Sequence, residues 1–286
     1  GGGLERSPSR KRNLKAAVRA RLSQVATGNR FLREANPEDE RLFVCDEQSR
    51  KVLVFLPDGK LERSFGEEEI MVPGGIAMGK KSVIFVTDSW RNCIHRFDCM
   101  GHVLERWGSR GTEPGHFLRP CGVACGLDGS VYVCDSGNHR IQVLSSEGDV
   151  VRVVGTQGCG PGEIHQPVGV AVCGDRLAVS EYVNARIQVF SLKDFSVVKV
   201  IKEFSWTEKG EGVFEADSSG FVRELGIPYG LCFSPQGHLY VTDIYFHRVI
   251  VFDQLHNPIQ KFGSGFGYDD VHPWTEPYRK LRKGGI

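Results

Sequence analysis

The sequence predicts an all-β protein, a β-propeller of four-stranded antiparallel blades, because two patterns recur along the chain. The first is a strand that begins with Pro and Gly, and its successive copies lie 47, 47 and 61 residues apart. The second is an apolar strand that ends in an acid and is followed, after a five-residue loop, by another apolar strand. Such a period is typical of one supersecondary unit copied along a chain. The prolines are Pro73, Pro120, Pro167 and Pro228, and the acids are Asp46, Asp88, Asp135, Glu181 and Asp243.

Each repeated unit contains the elements of one blade. In order, these are a Pro-led strand, a Gly or Asp-Gly turn, a strand ending in the acid, a polar loop, a third strand, another Gly turn and a strand that runs to Gly. Four short alternating strands with turn residues between them describe a propeller blade. The 35 glycines among 286 residues suit many tight turns, and 40% hydrophobic residues are enough for a sizeable core.

The five units differ in how completely they carry the pattern. The first, "RFLREANPEDERLFVCD", lacks the Pro-Gly strand, and the second has Cys93 where the other units have Arg or Lys. The third and fourth units are the most complete. The link from the fourth to the fifth unit, residues 202–225, is longer by 14 residues and rich in aromatic side chains. We expect it to fold onto the propeller or onto a partner.

The third unit resembles the NHL repeat. The order P-x-G-V-A, V-Y-V-x-D, N-H-R-I-Q-V and then a strand to Gly is similar to that family, and "PCGVACGLDGSVYVCDSGNHRIQVLSSEGDVVRVVG" (120–155) follows it across the whole unit. The resemblance extends over about residues 31–263. Members of the family usually close six blades, so the five units here imply a shorter ring, a sixth blade built from the ends of the chain, or a piece of a longer protein.

The chain divides into three predicted segments: a basic helical arm (1–30), the propeller (31–268) and a basic tail (269–286). In the arm, Leu14, Val18, Leu22 and Val25 fall on one face of an amphipathic helix. This helix either packs on the propeller, docks on a partner or directs import. The arm has no apolar secretory core, and no apolar run is long enough to span a membrane. We therefore expect a cytoplasmic protein, with a mitochondrial location as the alternative if the arm is a leader.

The charge of the chain is distributed unevenly. Residues 1–30 carry +7 and residues 277–286 carry +4, whereas residues 31–276 hold 24 basic against 34 acidic residues and so carry −10. Some NHL propellers of tripartite-motif proteins bind single-stranded RNA on a positive face, and phosphate contacts dominate that kind of affinity. An acidic propeller disfavours this function, so the sequence leaves RNA binding as an alternative through the loops or the basic tails.

The acid of each repeat is expected to be structural. A basic residue follows it five places later in four units, which places an acid and a base across one turn, where they tie neighbouring strands together. A catalytic site needs only one copy of its residues. A pair that recurs in several units therefore indicates a structural role. The pairs are Asp46 with Lys51, Asp135 with Arg140, Glu181 with Arg186, and Asp243 with Arg248.

The face that carries these turns is the predicted partner site. Turns between second and third strands and links between blades emerge on the same side of a propeller. Trp, Tyr and Arg dominate binding hot spots, although aromatic rings in loops also pack between blades. In the third unit, Asn138 and His139 vary between copies and so stay candidates. The full set is Trp90, Arg91, Arg119, Asn138, His139, Tyr182, Asn184, Tyr245 and His247.

The sequence favours a non-enzymatic scaffold or recognition module inside a larger assembly, with protein partners and no cofactor. The alternative is a metal-dependent lyase or hydrolase at the propeller axis, since NHL-like peptidyl-hydroxyglycine lyases use His-bound zinc there. Of the nine cysteines none has CxxC spacing, and no nucleophile elbow or phosphate-binding loop is present in the sequence. We predict no metal ligands. The histidines weighed for convergence on one face are His116, His139, His165 and His247.

Overall fold

The computed structural model describes residues 41–202 and 225–263, together with the backbone of two short strands between them. Within this part the protein is all β, with five antiparallel blade sheets that follow one another along the chain and one two-stranded sheet before the fifth blade. The predicted all-β propeller is therefore confirmed, with five blades described. The predicted helical arm (1–30) and basic tail (269–286) lie outside the described residues.

Each blade keeps its strands in chain order. The first blade has β1 (Leu42–Asp46), β2 (Lys51–Phe55) and β3 (Leu61–Phe65); the second has β4 (Pro73–Met78), β5 (Ile84–Asp88), β6 (Cys93–Phe97) and β7 (Val103–Trp107). The third has β8 (Pro120–Cys125), β9 (Val131–Asp135), β10 (Arg140–Leu144) and β11 (Val150–Val154), and the fourth has β12 (Pro167–Cys173), β13 (Arg176–Glu181), β14 (Arg186–Ser191) and β15 (Val197–Ile201). A strand pair, β16 (Ser205–Trp206) and β17 (Gly212–Val213), precedes the fifth blade, which has β18 (Pro228–Phe233), β19 (Leu239–Asp243), β20 (Arg248–Phe252) and β21 (Pro258–Phe262). Two 3₁₀ turns cover Lys80–Ser82 and Ser136–Asn138.

The Pro-led strands line the axis of the propeller. These strands, β4, β8, β12 and β18, lie side by side around the axis. Each also contacts the strand that ends in the acid in the preceding blade. Because neighbouring strands in a blade are antiparallel, its turns emerge alternately at the two ends of the blade. We call one end the loop face: it comprises the turns 47–50, 89–92, 136–139, 182–185 and 244–247 and the links 66–72, 108–119, 155–166 and 225–227. The turns 98–102, 126–130 and 253–257 lie on the opposite face.

In the second, third and fourth blades, the Gly of the Pro-x-Gly start is needed because the next blade approaches there backbone to backbone. A Cβ on Gly122 would lie 2.7 Å from the carbonyl oxygen of Val168, and one on Gly75 would lie 2.8 Å from that of Cys121. In the second blade, Thr87 Oγ1 accepts a hydrogen bond from the Gly75 N–H at 2.8 Å and donates to the carbonyl of Cys121 in the third blade. The Pro-x-Gly motif is thus explained by the close contact between neighbouring blades.

The apolar core lies between successive blades rather than at one centre. Side chains from facing sheets form four clusters, each shared by two neighbouring blades. The largest fully buried rings are Phe97, Phe117, Phe190 and Phe252. Among the described residues, no helix is long and apolar enough to cross a membrane.

Candidate functional site

The acid of the third blade is the centre of a buried hydrogen-bond network. Asp135 is fully buried. Its Oδ1 accepts from the Leu118 N–H at 2.7 Å, and its Oδ2 accepts from Asn138 Nδ2 at 2.9 Å and Arg140 Nε at 2.8 Å. Gln142 Nε2 donates to the same Oδ2 at 3.0 Å. One carboxylate therefore fixes its own turn, the next strand and the link that enters the blade.

The fourth blade repeats this network with Glu in place of Asp. Glu181 accepts from the His165 N–H at 2.9 Å, Asn184 Nδ2 at 2.6 Å, Arg186 Nε at 2.7 Å and Gln188 Nε2 at 2.8 Å. Because Asn184 repeats the role of Asn138, both amides take part in the architecture of the blade. The glutamines were not among the residues predicted from the sequence, although the recurring Ile-Gln-Val of the third strand could have indicated them.

Both glutamines also hold the links. Gln142 Oε1 accepts from the Gly115 N–H at 2.9 Å, and its Nε2 donates to the His116 carbonyl at 2.6 Å. Gln188 makes the equivalent pair with Gly162 and Glu163 at 2.9 and 2.7 Å. The Gly-rich links are thus fixed loops whose backbone is satisfied by side chains of the blade they enter.

The second and fifth blades vary the network. Asp243 pairs with Arg248 at 3.1 Å, and the Arg248 guanidinium also lies 4.5 Å from the centre of the Phe246 ring. In the second blade, His95 takes the place of the glutamine, with its Nε2 3.5 Å from an oxygen of Asp88. Burial raises the pKa of the neighbouring Cys93 thiol to about 11. The thiol is therefore protonated at neutral pH and behaves as a core group.

The first blade does not form the ion pair that the sequence predicts. Lys51 lies opposite Asp46 in the strand register, but its Nζ binds Glu67 at 2.7 Å in the link to the second blade. Asp46 instead accepts from Ser49 Oγ at 2.7 Å and from the Gln48 N–H at 3.1 Å. An ammonium is a point charge on a flexible stem and lacks the forked donors with which Arg reaches a carboxylate and link carbonyls together. The predicted Asp46–Lys51 pair is therefore corrected.

A left-handed residue in the turn joins one blade to the next. Asn92 and His139 both have φ of 56°. Asn92 Oδ1 accepts from the Arg119 N–H at 2.8 Å, and His139 Nδ1 accepts from the Gln166 N–H at 3.1 Å. The donors are the residues immediately before the prolines of the following blades. The side chain at this turn position thus decides whether a link is tied to the preceding blade.

His139 makes this joint sensitive to pH. Its ring packs edge-on against His165 at 4.7 Å between ring centres. Burial and the neighbouring His165 lower the pKa of His139, and Asp135 opposes them. Protonation would also place a hydrogen on Nδ1, which accepts the Gln166 N–H. The folded protein therefore disfavours the charged ring.

We expect His139→Asn to reduce the loss of stability on acidification. The unfolded chain, with a histidine pKa of about 6.5, binds more protons than the folded one, so stability is present above that pH and falls as the pH decreases below it. An Asn side chain keeps an acceptor for the Gln166 N–H, as Asn92 does for Arg119 in the second blade, and removes the titrating imidazole. Urea midpoints at pH 7.5 and 5.5 measure the effect. If the urea midpoint shifted equally with pH in wild type and variant, this role of His139 would be contradicted. Burial also lowers the pKa of His256, so some pH dependence remains in the variant.

The predicted partner residues differ in exposure. Trp90 is 70% exposed and the neighbouring Arg91 is exposed as well, whereas Tyr182 and Tyr245 are half-buried. The Tyr245 ring packs edge-on against Phe246 at 4.9 Å, as expected if loop aromatics pack back onto the blade. The loop face further exposes two apolar side chains, Val183 and Ile244, that sequence reasoning did not select, because their exposure depends on tertiary contacts.

Charge on the loop face is mixed. Exposed acids lie in the first blade and its link, at Glu47, Glu67 and Glu68. Exposed bases lie in the second blade and its link, at Arg91, Arg110 and Arg119. Asn138, Asn184 and His139 are half-buried, and His247 is exposed. Arg50 and Glu113 are exposed in these same segments and Glu163 is exposed in the link 155–166, so the face carries both signs of charge beside aromatic, aliphatic and imidazole side chains.

The axis contains an apolar cavity of about 260 Å³. Its walls come from the ends of the Pro-led strands towards the opposite face, with Ala124, Ala171 and Cys232 among the lining residues. Burial raises the pKa of the lining Cys125 thiol to about 12. All nine cysteines are free, and the described residues contain no group of three or more His, Cys, Asp or Glu suited to a metal ion. Of the four histidines weighed above, the structure brings His139 and His165 into contact.

The geometry defines a class of protein: a β-propeller with a hydrogen-bonded acid in each blade and variable turns on one face. The NHL repeat model matches residues 117–144, which include β8, β9 and β10. This match and the five repeated sheets bear out the resemblance to NHL-repeat propellers that the sequence predicts. No curated protein sequence matches the chain.

Solved structures similar to the chain include one from a protein complex and two enzymes. A chain in the nidogen/laminin complex is 17% identical with a TM-score of 0.57, covering 79% of this chain and 76% of that one. A gluconolactonase from Xanthomonas campestris is 17% identical with a TM-score of 0.55, covering 77% and 71%. Virginiamycin B lyase from Staphylococcus aureus is 12% identical with a TM-score of 0.52, covering 78% and 80%. At these identities the likeness shows the fold alone.

Proposed function

We propose that the protein is a non-enzymatic recognition module whose loop face binds a protein partner within a larger assembly. The observation that carries this proposal is Trp90, which is 70% exposed at the tip of a turn whose backbone is fixed. The Trp90 and Arg91 N–H groups both donate to Asp88 Oδ1, at 3.1 and 2.9 Å. A large ring on a rigid turn contributes contact area at low entropic cost, as hot-spot residues do.

The chemistry of the surrounding surface favours a protein over a nucleic acid. Arg91 and Arg119 lie beside Trp90 and beside the turn that contains Asn92, while Glu67 and Glu68 occupy the preceding link. Such mixed charge repels a phosphate backbone on one side and suits a partner that carries both signs. RNA binding and metal-dependent catalysis are not proposed, because no observation on the described residues favours either. The basic segments 1–30 and 269–286 remain proposed as additional contacts of the assembly.

We expect Trp90→Ala to weaken partner binding by at least about tenfold, the effect of truncating a hot-spot aromatic. The full-length chain serves as bait in an extract of the source cells, retained proteins are identified by mass spectrometry, and the affinity of the purified partner is measured by calorimetry. Leu255→Ala is the matched control, since Leu255 is 73% exposed on the opposite face.

The two variants separate the outcomes. The proposal predicts a partner that is lost from Trp90→Ala and kept by Leu255→Ala, with both proteins unfolding at the wild-type temperature. A partner that binds both variants equally well contradicts a role for this face.

A further inference from the structure

One amide side chain on the loop face holds Trp90 and Arg119 in a fixed relation. Asn92 Nδ2 donates to the Trp90 carbonyl at 2.8 Å, within the turn of the second blade. Asn92 Oδ1 accepts from the Arg119 N–H at 2.8 Å, at the end of the link that enters the third blade. Both Trp90 and Arg119 are exposed. An exposed indole and an exposed guanidinium are therefore carried by backbone segments that one side chain joins.

The link that contains Arg119 also has a defined conformation. The Phe117 N–H donates to the Ser109 carbonyl at 2.8 Å, and the Gly111 N–H donates to the Phe117 carbonyl at 3.0 Å. These bonds pair the backbone of Arg110 with that of Phe117, two residues before Arg119. Arg110 and Arg119 are thus carried by one fixed loop.

Arg110 and Arg119 are both exposed, and neither is neutralised by a described residue. Within residues 41–202 and 225–263, neither guanidinium donates a hydrogen bond or forms an ion pair. By contrast, the arginine five residues after the acid in the third, fourth and fifth blades is paired with that acid. Glu113 is exposed on the same link but pairs with neither arginine. The link therefore presents two guanidinium groups without a described counter-charge.

The equivalent link of the fourth blade shows that these charges are not needed for the fold. Gln157 makes the same parallel bridge as Arg110, so the two links align residue by residue. This alignment makes Gln166 the equivalent of Arg119, and both have a left-handed backbone, with φ of 50° and 51°. Glutamine thus meets the structural requirement at both positions. The arginines of the third blade are explained by a contact outside the propeller.

We propose that Trp90, Arg119 and Arg110 bind an acidic segment of the partner, in which an apolar side chain lies next to carboxylates. This inference rests on the proposed function, since it names the chemistry that the loop face recognises. The apolar side chain packs on the Trp90 ring. The forked donors of Arg119 form two parallel hydrogen bonds with one carboxylate, and Arg110 binds a second. Glu68 and Glu113 are exposed in the two adjoining links and disfavour a continuous polyanion.

The probe is a fluorescent, end-capped peptide, Glu-Glu-Leu-Phe-Glu-Glu, compared with peptides in which every Glu is replaced by Gln or by Lys. Fluorescence anisotropy with the full-length chain is expected to show saturable binding of the acidic peptide alone, which weakens as salt is added. Arg119→Gln is expected to weaken this binding by at least about tenfold. The unfolding temperature of the variant is expected to match that of wild type, because Gln166 occupies the same backbone conformation in the fourth blade.

Lys193→Gln is the matched control, since it removes the same charge from an exposed residue in the turn between β14 and β15, on the opposite face. The inference predicts that this variant binds the acidic peptide as wild type does. Failure of the wild-type chain to bind the acidic peptide overturns the inference. Equal weakening by Lys193→Gln and Arg119→Gln overturns it as well, because the attraction then reflects net charge alone. Tighter binding of a single-stranded RNA oligonucleotide, lost in Arg119→Gln, assigns the arginines to phosphate instead.

Binding of the purified partner separates this inference from the proposed function. Both predict that Trp90→Ala weakens the affinity measured by calorimetry, and only the inference predicts the same for Arg119→Gln. If Trp90→Ala weakens binding and Arg119→Gln does not, the loop face binds the partner without an acidic segment, and the inference alone is wrong. If neither variant weakens binding, both are wrong.

Discussion

Replacing Asp135 by Ala is expected to lower the free energy of unfolding by about 3–5 kcal/mol, the effect of removing one partner of a buried ion pair. The substitution leaves Arg140 charged, largely buried and without its carboxylate. It also leaves the Leu118 N–H and Gln142 Nε2 without the oxygens that they bind. Each stranded donor adds a desolvation cost. Urea unfolding followed by tryptophan fluorescence measures the change.

Asp46→Ala is the matched control for this prediction. Asp46 occupies the same position in the first blade, but its contacts stay within its own turn and Lys51 pairs elsewhere. We expect a much smaller change in the urea midpoint for Asp46→Ala than for Asp135→Ala. Similar midpoints for the two variants would show that the buried network does not stabilise the third blade as described.

Gly122→Ala is expected to destabilise the protein by about 3 kcal/mol or more, at the upper end of the cost of overpacking. The new Cβ would lie 2.7 Å from the Val168 carbonyl oxygen and 3.1 Å from Gly169 Cα, both backbone atoms of the next blade. Because backbone cannot move aside as a flexible side chain does, the third and fourth blades would have to separate. Thermal unfolding measures the effect.

Gly230→Ala tests the same motif position where no neighbouring blade is described. Its Cβ would lie 3.1 Å from Thr242 Oγ1 and meet no other described residue within 4 Å. We therefore expect a melting temperature close to that of wild type. A large loss for Gly230→Ala, or a negligible one for Gly122→Ala, would contradict the assignment of this glycine to blade joining.

Repetition made the fold predictable from the sequence. The Pro-x-Gly strands and the acids recur, so their structural role could be inferred from the number of copies. The acid–base pairs could be inferred in the same way, but the inference was wrong for Lys51, because position alone does not show that Glu67 lies within reach of its ammonium. The bonds of Gln142 to the link were missed because they join residues far apart in the sequence.

The candidate site was less predictable, because exposure depends on contacts between blades. Trp90 and Tyr245 occupy similar turns, yet the Trp90 ring is exposed and the Tyr245 ring packs on Phe246. Asn138 looked variable between copies, but its amide binds the carboxylate of the network just as Asn184 does.

We propose that buried acids hold the blades together while the loop face binds a protein partner. Hydrogen–deuterium exchange of the full-length chain, free and saturated with the identified partner, locates the surface that is bound. We expect binding to slow exchange in the loop-face turns 89–92, 136–139 and 182–185 and to leave the turns 98–102, 126–130 and 253–257 unchanged. Slowed exchange confined to the turns of the opposite face would contradict it.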